Sequence, residues 1–192
     1  MRFSRQVGVW ARRRLYRVGM SRRARIVVLV GPKGSGKTTL GRFFASEPGV
    51  HFLEVEAIAK RVLEEMGRII DEEYARHAFD AIARETERIS GQYRALVIET
   101  TGASEQTPRF LDALRLHHSL YLVRVRASVQ TCARRIRERD PSRQVDVSAE
   151  LIREMHERTE ALNLDWDLEL QNDPPLTRDR VVEALGGLLG SP

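Results

Sequence analysis

The stretch Gly31-Pro32-Lys33-Gly34-Ser35-Gly36-Lys37-Thr38 constrains this chain more than any other. It fits the pattern G-x-x-x-x-G-K-[ST], and its flanks suit that pattern. Residues 25–30 (RIVVLV) form an apolar, β-rich run, and residues 39–45 (TLGRFFA) have the character of a following helix. A strand, a glycine-rich turn and a helix in this order make a grip for polyphosphate. Glycines let backbone N–H groups turn inward around phosphate oxygens, and the helix adds the positive end of its dipole. Lys37 is placed to reach β- and γ-phosphates, and the Thr38 hydroxyl is a magnesium ligand in such loops. Gly31, Pro32, Lys33, Gly34, Ser35, Gly36, Lys37, Thr38 and Thr39 are therefore the candidate nucleotide-binding residues.

A chain of 192 residues with 42% apolar content suits one domain with a sizeable core. No apolar run approaches the roughly 20 residues of a membrane-spanning helix. The single cysteine, Cys132, excludes an internal disulfide and fits a reducing, cytoplasmic setting. Cys132 lies in an arginine-rich helical segment and reads as a small core side chain.

The net charge of +5 conceals an asymmetry. Residues 1–25 carry nine arginines and no acid, and subtracting these nine leaves −4 for the remainder. The body is mildly acidic, so a folded nucleic-acid-binding surface is not implied. Residues 1–24 read as a poorly ordered basic leader, or as an over-long start ahead of Met20. Alternatives are a transit peptide, or a helix that meets anionic membrane or RNA through residues 1–25. Residues 25–192 read as the working domain, expected to act as a monomer.

Strand and helix patterns alternate along that domain. Strands are expected at 25–30, 51–54, 94–99, 120–126 and 167–170. Helices are expected at 39–45, 55–67, 70–90, 107–116 and 128–139, then at 148–162 and after Thr177. Such alternation predicts an α/β fold, a parallel sheet covered by helices on both faces. Ligands then bind beyond the carboxyl ends of the strands. Glu54 and Glu56 fall there after the second strand, and either could accept a proton from an attacking hydroxyl or hold it in line. Glu99 closes the third strand, where a carboxylate can hold magnesium or its waters. Asn172 and Asp173 follow the fifth strand.

Arg134, Arg135, Arg137, Arg139 and Arg143 crowd into ten residues beside Asp140-Pro141. Phosphoryl transfer needs positive charge on the migrating group and needs water excluded, and an arginine-bearing lid around 134–147 meets both needs. Arg135 and Arg139 are the preferred catalytic arginines. The five histidines lack metal-ligand spacing. His117 and His118 are expected in a surface loop, and Trp166 is expected to pack.

The order of these motifs resembles that of the small P-loop kinases: shikimate kinase, nucleoside monophosphate kinases, gluconate kinase and their relatives. The resemblance spans residues 25–189. Gly31 to Arg42 is similar to the start of shikimate kinases, and residues 52–56 (FLEVE) occupy the place of their F-x-D-x-D. Arg134 to Arg143 resembles their lid, and residues 167–173 resemble the last strand and adenine-side loop of several members. The likeness implies a three-layer fold with a five-stranded parallel sheet in the order 2-3-1-4-5. It also implies ATP with Mg2+, and γ-phosphoryl transfer to a small acceptor. Arg134, Asn172 and Asp173 then join the nucleotide-binding set, and Thr38 and Glu99 serve the metal. The departures lie on the acceptor side. Thr100-Thr101-Gly102 replaces a Gly-Gly-Gly stretch, and glutamates replace both aspartates of the second-strand motif. Where shikimate kinases have an acceptor-binding arginine in E-x-x-F-R, this chain has Glu72-Glu73-Tyr74-Ala75, with Arg76 one place late. ATP handling is expected to be retained while the acceptor differs. Two other classes fit the same motif: an NTPase or switch module without an acceptor, and a kinase of RNA or polynucleotide ends. A full AAA+ motor is disfavoured by the chain's length.

Overall fold

The computed structural model describes residues 24–67, 69–138 and 148–190. The basic leader, Arg139, Arg143 and most of the expected lid lie outside the described residues. The elements run β1 (Arg25–Val30), α1 (Lys37–Phe44), β2 (Val50–Phe52), α2 (Val55–Glu65), α3 (Glu72–Ser90), β3 (Ala95–Thr100), α4 (Thr107–His117), β4 (Ser119–Arg126), α5 (Val129–Arg137), α6 (Ala149–Glu160), β5 (Leu168–Gln171) and α7 (Arg178–Leu188). All strand pairs are parallel, and the sheet order is β2-β3-β1-β4-β5. This is the five-stranded, helix-flanked α/β sheet that the sequence implies.

The central strand explains the three layers. Every residue of β1 from Ile26 to Val30 is buried, which a parallel strand between two helical layers requires. Alternate residues serve opposite cores. Ile26, Val28 and Val30 pack with Ile58 of α2, Ile82 and Ile89 of α3, and Leu111 of α4. Val27 and Leu29 pack with Leu40 and Phe44 of α1 and with Val181 and Leu185 of α7. In register, Leu29 sits opposite Glu99, and Val30 lies between Thr100 and Arg124. The carboxyl ends of β1 and β3 therefore finish level, β4 runs two residues further to Arg126, and their loops share one edge.

Several boundaries differ from the sequence expectation for identifiable reasons. Helix α1 starts at Lys37, two residues early, because Gly36 is its N-cap in the left-handed region (φ 98°). Strand β2 stops at Phe52, and Glu54 becomes the N-cap of α2. Helix α3 waits for Asp71, whose carboxylate accepts from the Tyr74 backbone N–H at 2.8 Å.

His118 corrects the expected surface loop. Helix α4 runs through His117 and β4 begins at Ser119, so His118 has no loop to occupy. It is only 6% exposed, and its Nε2 lies 3.0 Å from Oε2 of Glu87. Burial, outweighing the Glu87 carboxylate, lowers the imidazole pKa below its usual 6.5. The neutral form is therefore favoured in the fold, and the unfolded chain takes up the proton first. This contribution to stability is complete above about pH 6.5 and is lost as pH falls toward the lowered folded value. Urea midpoints should decline across that window in the wild-type chain, and His118→Gln should flatten the decline.

Candidate active site

The loop after β1 is fixed by its own backbone and by its neighbours. The Gly31 N–H donates to the Thr100 carbonyl at 3.2 Å, tying the loop to the end of β3. Gly34 (φ 87°) and Gly36 (φ 98°) both adopt left-handed conformations that side chains rarely take. Space is also lacking at both positions. A Cβ on Gly34 would lie 2.5 Å from the Cys132 carbonyl oxygen, and one on Gly36 would lie 2.2 Å from the Asn172 side-chain nitrogen. With Gly36 as N-cap, α1 has no side-chain cap and no acid in its first turn. Helices α3, α5, α6 and α7 are capped by Asp71, Ser128, Ser148 and Thr177. The amino end of α1, like those of α2 and α4, has no side-chain cap, and its first-turn N–H groups can receive an anion.

Lys37 is buried at this end. Its ammonium donates to the Gly31 carbonyl at 2.8 Å and to the Pro32 carbonyl at 3.0 Å. Thr38 faces Glu99, its hydroxyl within 2.9 and 3.1 Å of the two carboxylate oxygens. A hydroxyl and a carboxylate at this spacing are hard oxygen donors of the kind magnesium takes. Among the described residues no cluster of three or more His, Cys, Asp or Glu side chains could hold a metal. Thr38 and Glu99 would therefore share such an ion with phosphate and water oxygens. The Ser35 side chain is fully buried, and its Oγ has no hydrogen-bond partner among the described residues.

Arg135, Asn172 and Asp173 meet on the other side of the loop. The Arg135 guanidinium donates to the carbonyls of Gly34, Ser35 and Asn172 at 3.4, 3.2 and 2.9 Å. The Asn172 amide donates to the Ser35 carbonyl at 2.7 Å, and its oxygen accepts from the Leu176 N–H at 2.9 Å. Together they occupy carbonyls of the loop and leave it braced by the end of β5. Asp173 accepts from the Ser128 hydroxyl at 2.5 Å and from its N–H at 3.2 Å. The Ser128 hydroxyl, with Thr131, holds the Asp173 carboxyl below its ordinary value. Arg134 and Arg137 are exposed on α5. Cys132 is buried, and that burial pushes its thiol pKa up.

The glycine-rich loop opens into a cavity of about 470 Å³. Lys33, Lys37, Thr38 and Glu99 stand at its phosphate end. Glu56 also lines it, whereas Glu54 does not: Glu54 accepts from Arg42 at 2.6 Å on the exposed surface. Tyr74 lines the cavity from α3, and its phenol is raised above its ordinary pKa by burial and by the nearby Glu56 charge. Leu151, Glu154, Met155 and Arg158 of α6 form a further wall. The sequence had offered α6 only as a capped helix. What brings it over the site is long-range packing. Thr159 donates to the Thr101 carbonyl at 2.8 Å, and Leu162 lies so close to Gly102 (φ 75°) that a Cβ there would be 2.4 Å from Leu162 Cδ1. Trp166 packs half-buried against the core, as expected, with the Arg124 guanidinium 5.6 Å from its ring. No helix among the described residues is long and apolar enough to cross a membrane.

The family model described as an AAA domain matches residues 26–162, from β1 to just beyond α6. The chain is similar to a shikimate kinase of Thermosynechococcus vestitus, with 27% identity over 168 residues, 85% of this chain and 91% of that protein. Its fold is similar to that of a sugar kinase from Janibacter sp. HTCC2649, with a TM-score of 0.64 and 20% identity over 86% of this chain and 94% of the other. It is also similar to a gluconokinase from Sinorhizobium meliloti 1021, with a TM-score of 0.61 and 21% identity over 87% and 93% of the two chains. The matched span includes the loop, the Glu99 strand and the cavity walls, and the chain belongs to the AAA domain family, as a P-loop phosphotransferase of the shikimate kinase-like group.

Proposed function

We propose that this chain catalyses magnesium-assisted transfer of the γ-phosphoryl group of ATP to a hydroxyl of a small molecule. The observation that carries the proposal is the continuity of one cavity. The loop that grips phosphate opens directly into a compartment of about 470 Å³, large enough for a small acceptor. An NTPase without an acceptor has no need of that compartment.

In this reading the inward-turned amides of Gly31 to Thr39 hold the triphosphate, with Lys37 on the β- and γ-oxygens. Lys37 would exchange its contacts with the Gly31 and Pro32 carbonyls for phosphate oxygens of the incoming nucleotide. Magnesium, when bound, neutralises charge on the phosphates and is held by Thr38 and Glu99. Glu56, already at the cavity wall, orients the acceptor hydroxyl and takes its proton as the new O–P bond forms. Glu54 is committed to Arg42 and stays structural. Arg135, Asn172 and Asp173 shape the base-side wall, with Arg135 bracing the loop from behind. Arg134 flanks the nucleotide at the start of the lid, and Arg139 supplies charge from the lid itself. The cavity is lined by one chain's own elements, so a monomer suffices, acting in the cytoplasm where ATP is supplied.

Two measurements test these roles. Lys37→Ala should lower turnover by about a hundredfold or more while its urea midpoint stays near wild type. Retained phosphotransfer in that variant ends the proposal. Glu56→Gln should reduce kcat by roughly 10²- to 10⁴-fold without weakening nucleotide binding by calorimetry, whereas Glu54→Gln should retain activity. The reverse pattern would move the base to Glu54.

A further inference from the structure

Beyond its phosphate end, the cavity has a definite chemical character. Its body is built from apolar faces of three helices. Val55 and Ala59 come from α2, Tyr74, Ala78 and Phe79 from α3, and Leu151 and Met155 from α6. A ligand that fills this space removes apolar surface from water and gains accordingly.

The described charges around that apolar body are predominantly acidic. Away from the phosphate loop, the described lining residues include the acids Glu56, Asp71, Glu72, Glu105 and Glu154. The one described basic side chain there is Arg158, and its guanidinium donates to Glu154 at 2.7 Å. Asp71 and Glu72 are turned into acceptors, not neutralised: Asp71 takes the Tyr74 N–H, and Glu72 takes the Ser104 hydroxyl at 3.0 Å. Next to Tyr74, the helix position that faces the cavity is Ala75. Arg76 turns away, its guanidinium 3.6 Å from Glu73 and 3.1 Å from the His77 ring. The triphosphate itself adds further negative charge at the far end.

Among the described residues beyond the phosphate loop, a carboxylated or phosphorylated acceptor would leave water to meet net negative charge, and the one described cation there, Arg158, is already paired with Glu154. Most of these acids are exposed at the cavity's mouth, where a cleft lined by one sign of charge repels an entering anion. An alcohol with an apolar body and no anionic group meets no such penalty, and an amine would find several carboxylate acceptors. Resting on the kinase reading above, we infer that the acceptor is an uncharged or amine-bearing alcohol with an apolar body, and that carboxylates and phosphate esters are excluded.

The step balances simply. The acceptor O–H loses its proton to Glu56, its oxygen bonds to the γ-phosphorus, and the bond from that phosphorus to the bridging oxygen breaks to release ADP.

The test uses the full chain with ATP and magnesium and a panel of hydroxyl compounds divided into anionic, neutral and cationic sets. Within it, 4-(hydroxymethyl)benzoate, 4-(hydroxymethyl)benzamide and 4-(hydroxymethyl)benzylamine vary charge on one scaffold, and shikimate and gluconate represent hydroxy acids. Phosphorylated product is followed by mass spectrometry, and ADP release is followed in parallel. The inference expects the best acceptor to come from the neutral or cationic sets, with kcat/KM at least about tenfold above any anionic compound. A carboxylate or phosphate ester as best acceptor overturns it while leaving the kinase reading standing. Steady ADP release with no phosphorylated compound in any set overturns the kinase reading and this inference with it. Glu154→Gln frees Arg158 and should shift the ratio of anionic to neutral turnover by about tenfold toward anions. An unchanged ratio counts against the charge argument.

Discussion

The parallel pairing of β1 with β3 is the constraint on which the site depends. It places Leu29 beside Glu99 and Val30 beside Thr100, so the loop leaving β1 starts where the carboxylate of β3 ends. The contact between Thr38 and Glu99 at 2.9 Å follows from that register. Two parallel strands cannot be joined by a tight turn, so the chain must cross over through α1, β2, α2 and α3 before it returns as β3. That detour supplies two of the helices that wall the cavity. The glycine-rich loop and the cavity beside it are thus products of one topological requirement.

What could be read from the residues alone was what short-range chemistry encodes. The glycine-rich loop needs left-handed backbone at Gly34 and Gly36, and only glycine supplies it freely, so the motif is visible in eight residues. The buried strands show as continuous apolar runs, and the caps Ser128, Ser148 and Thr177 mark helix starts one residue ahead of α5, α6 and α7. The relation of Glu99 to the loop was also legible, because a carboxylate that ends an apolar strand has few places to go.

The rest was hidden by sequence distance. Asn172 and Ser35 are 137 positions apart, and nothing local at either residue announces that an amide of one will hold a carbonyl of the other. Glu54 and Glu56 look equivalent in sequence. They separate only once Glu54 becomes the N-cap of α2 and meets Arg42, while Glu56 enters the helix and turns toward Tyr74. The same holds for Arg135, which stands in an arginine-rich segment and reads as a mobile charge. In the fold its guanidinium is spread across three carbonyls and works as a strut. The role of α6 as a cavity wall depends on the meeting of Leu162 with Gly102, which no periodicity reveals.

The brace between Asn172 and Ser35 couples two parts of the protein that share no local sequence. Asn172 directly follows β5, a four-residue strand at the outer edge of the sheet, bonded to a neighbour on one side only. Outer strands of this length open more readily than central ones. Such an opening would withdraw the amide that, with Arg135, steadies the Ser35 carbonyl between Gly34 and Gly36. For a nucleotide held by that loop as proposed, residence time would then depend on the breathing of the sheet's outer margin.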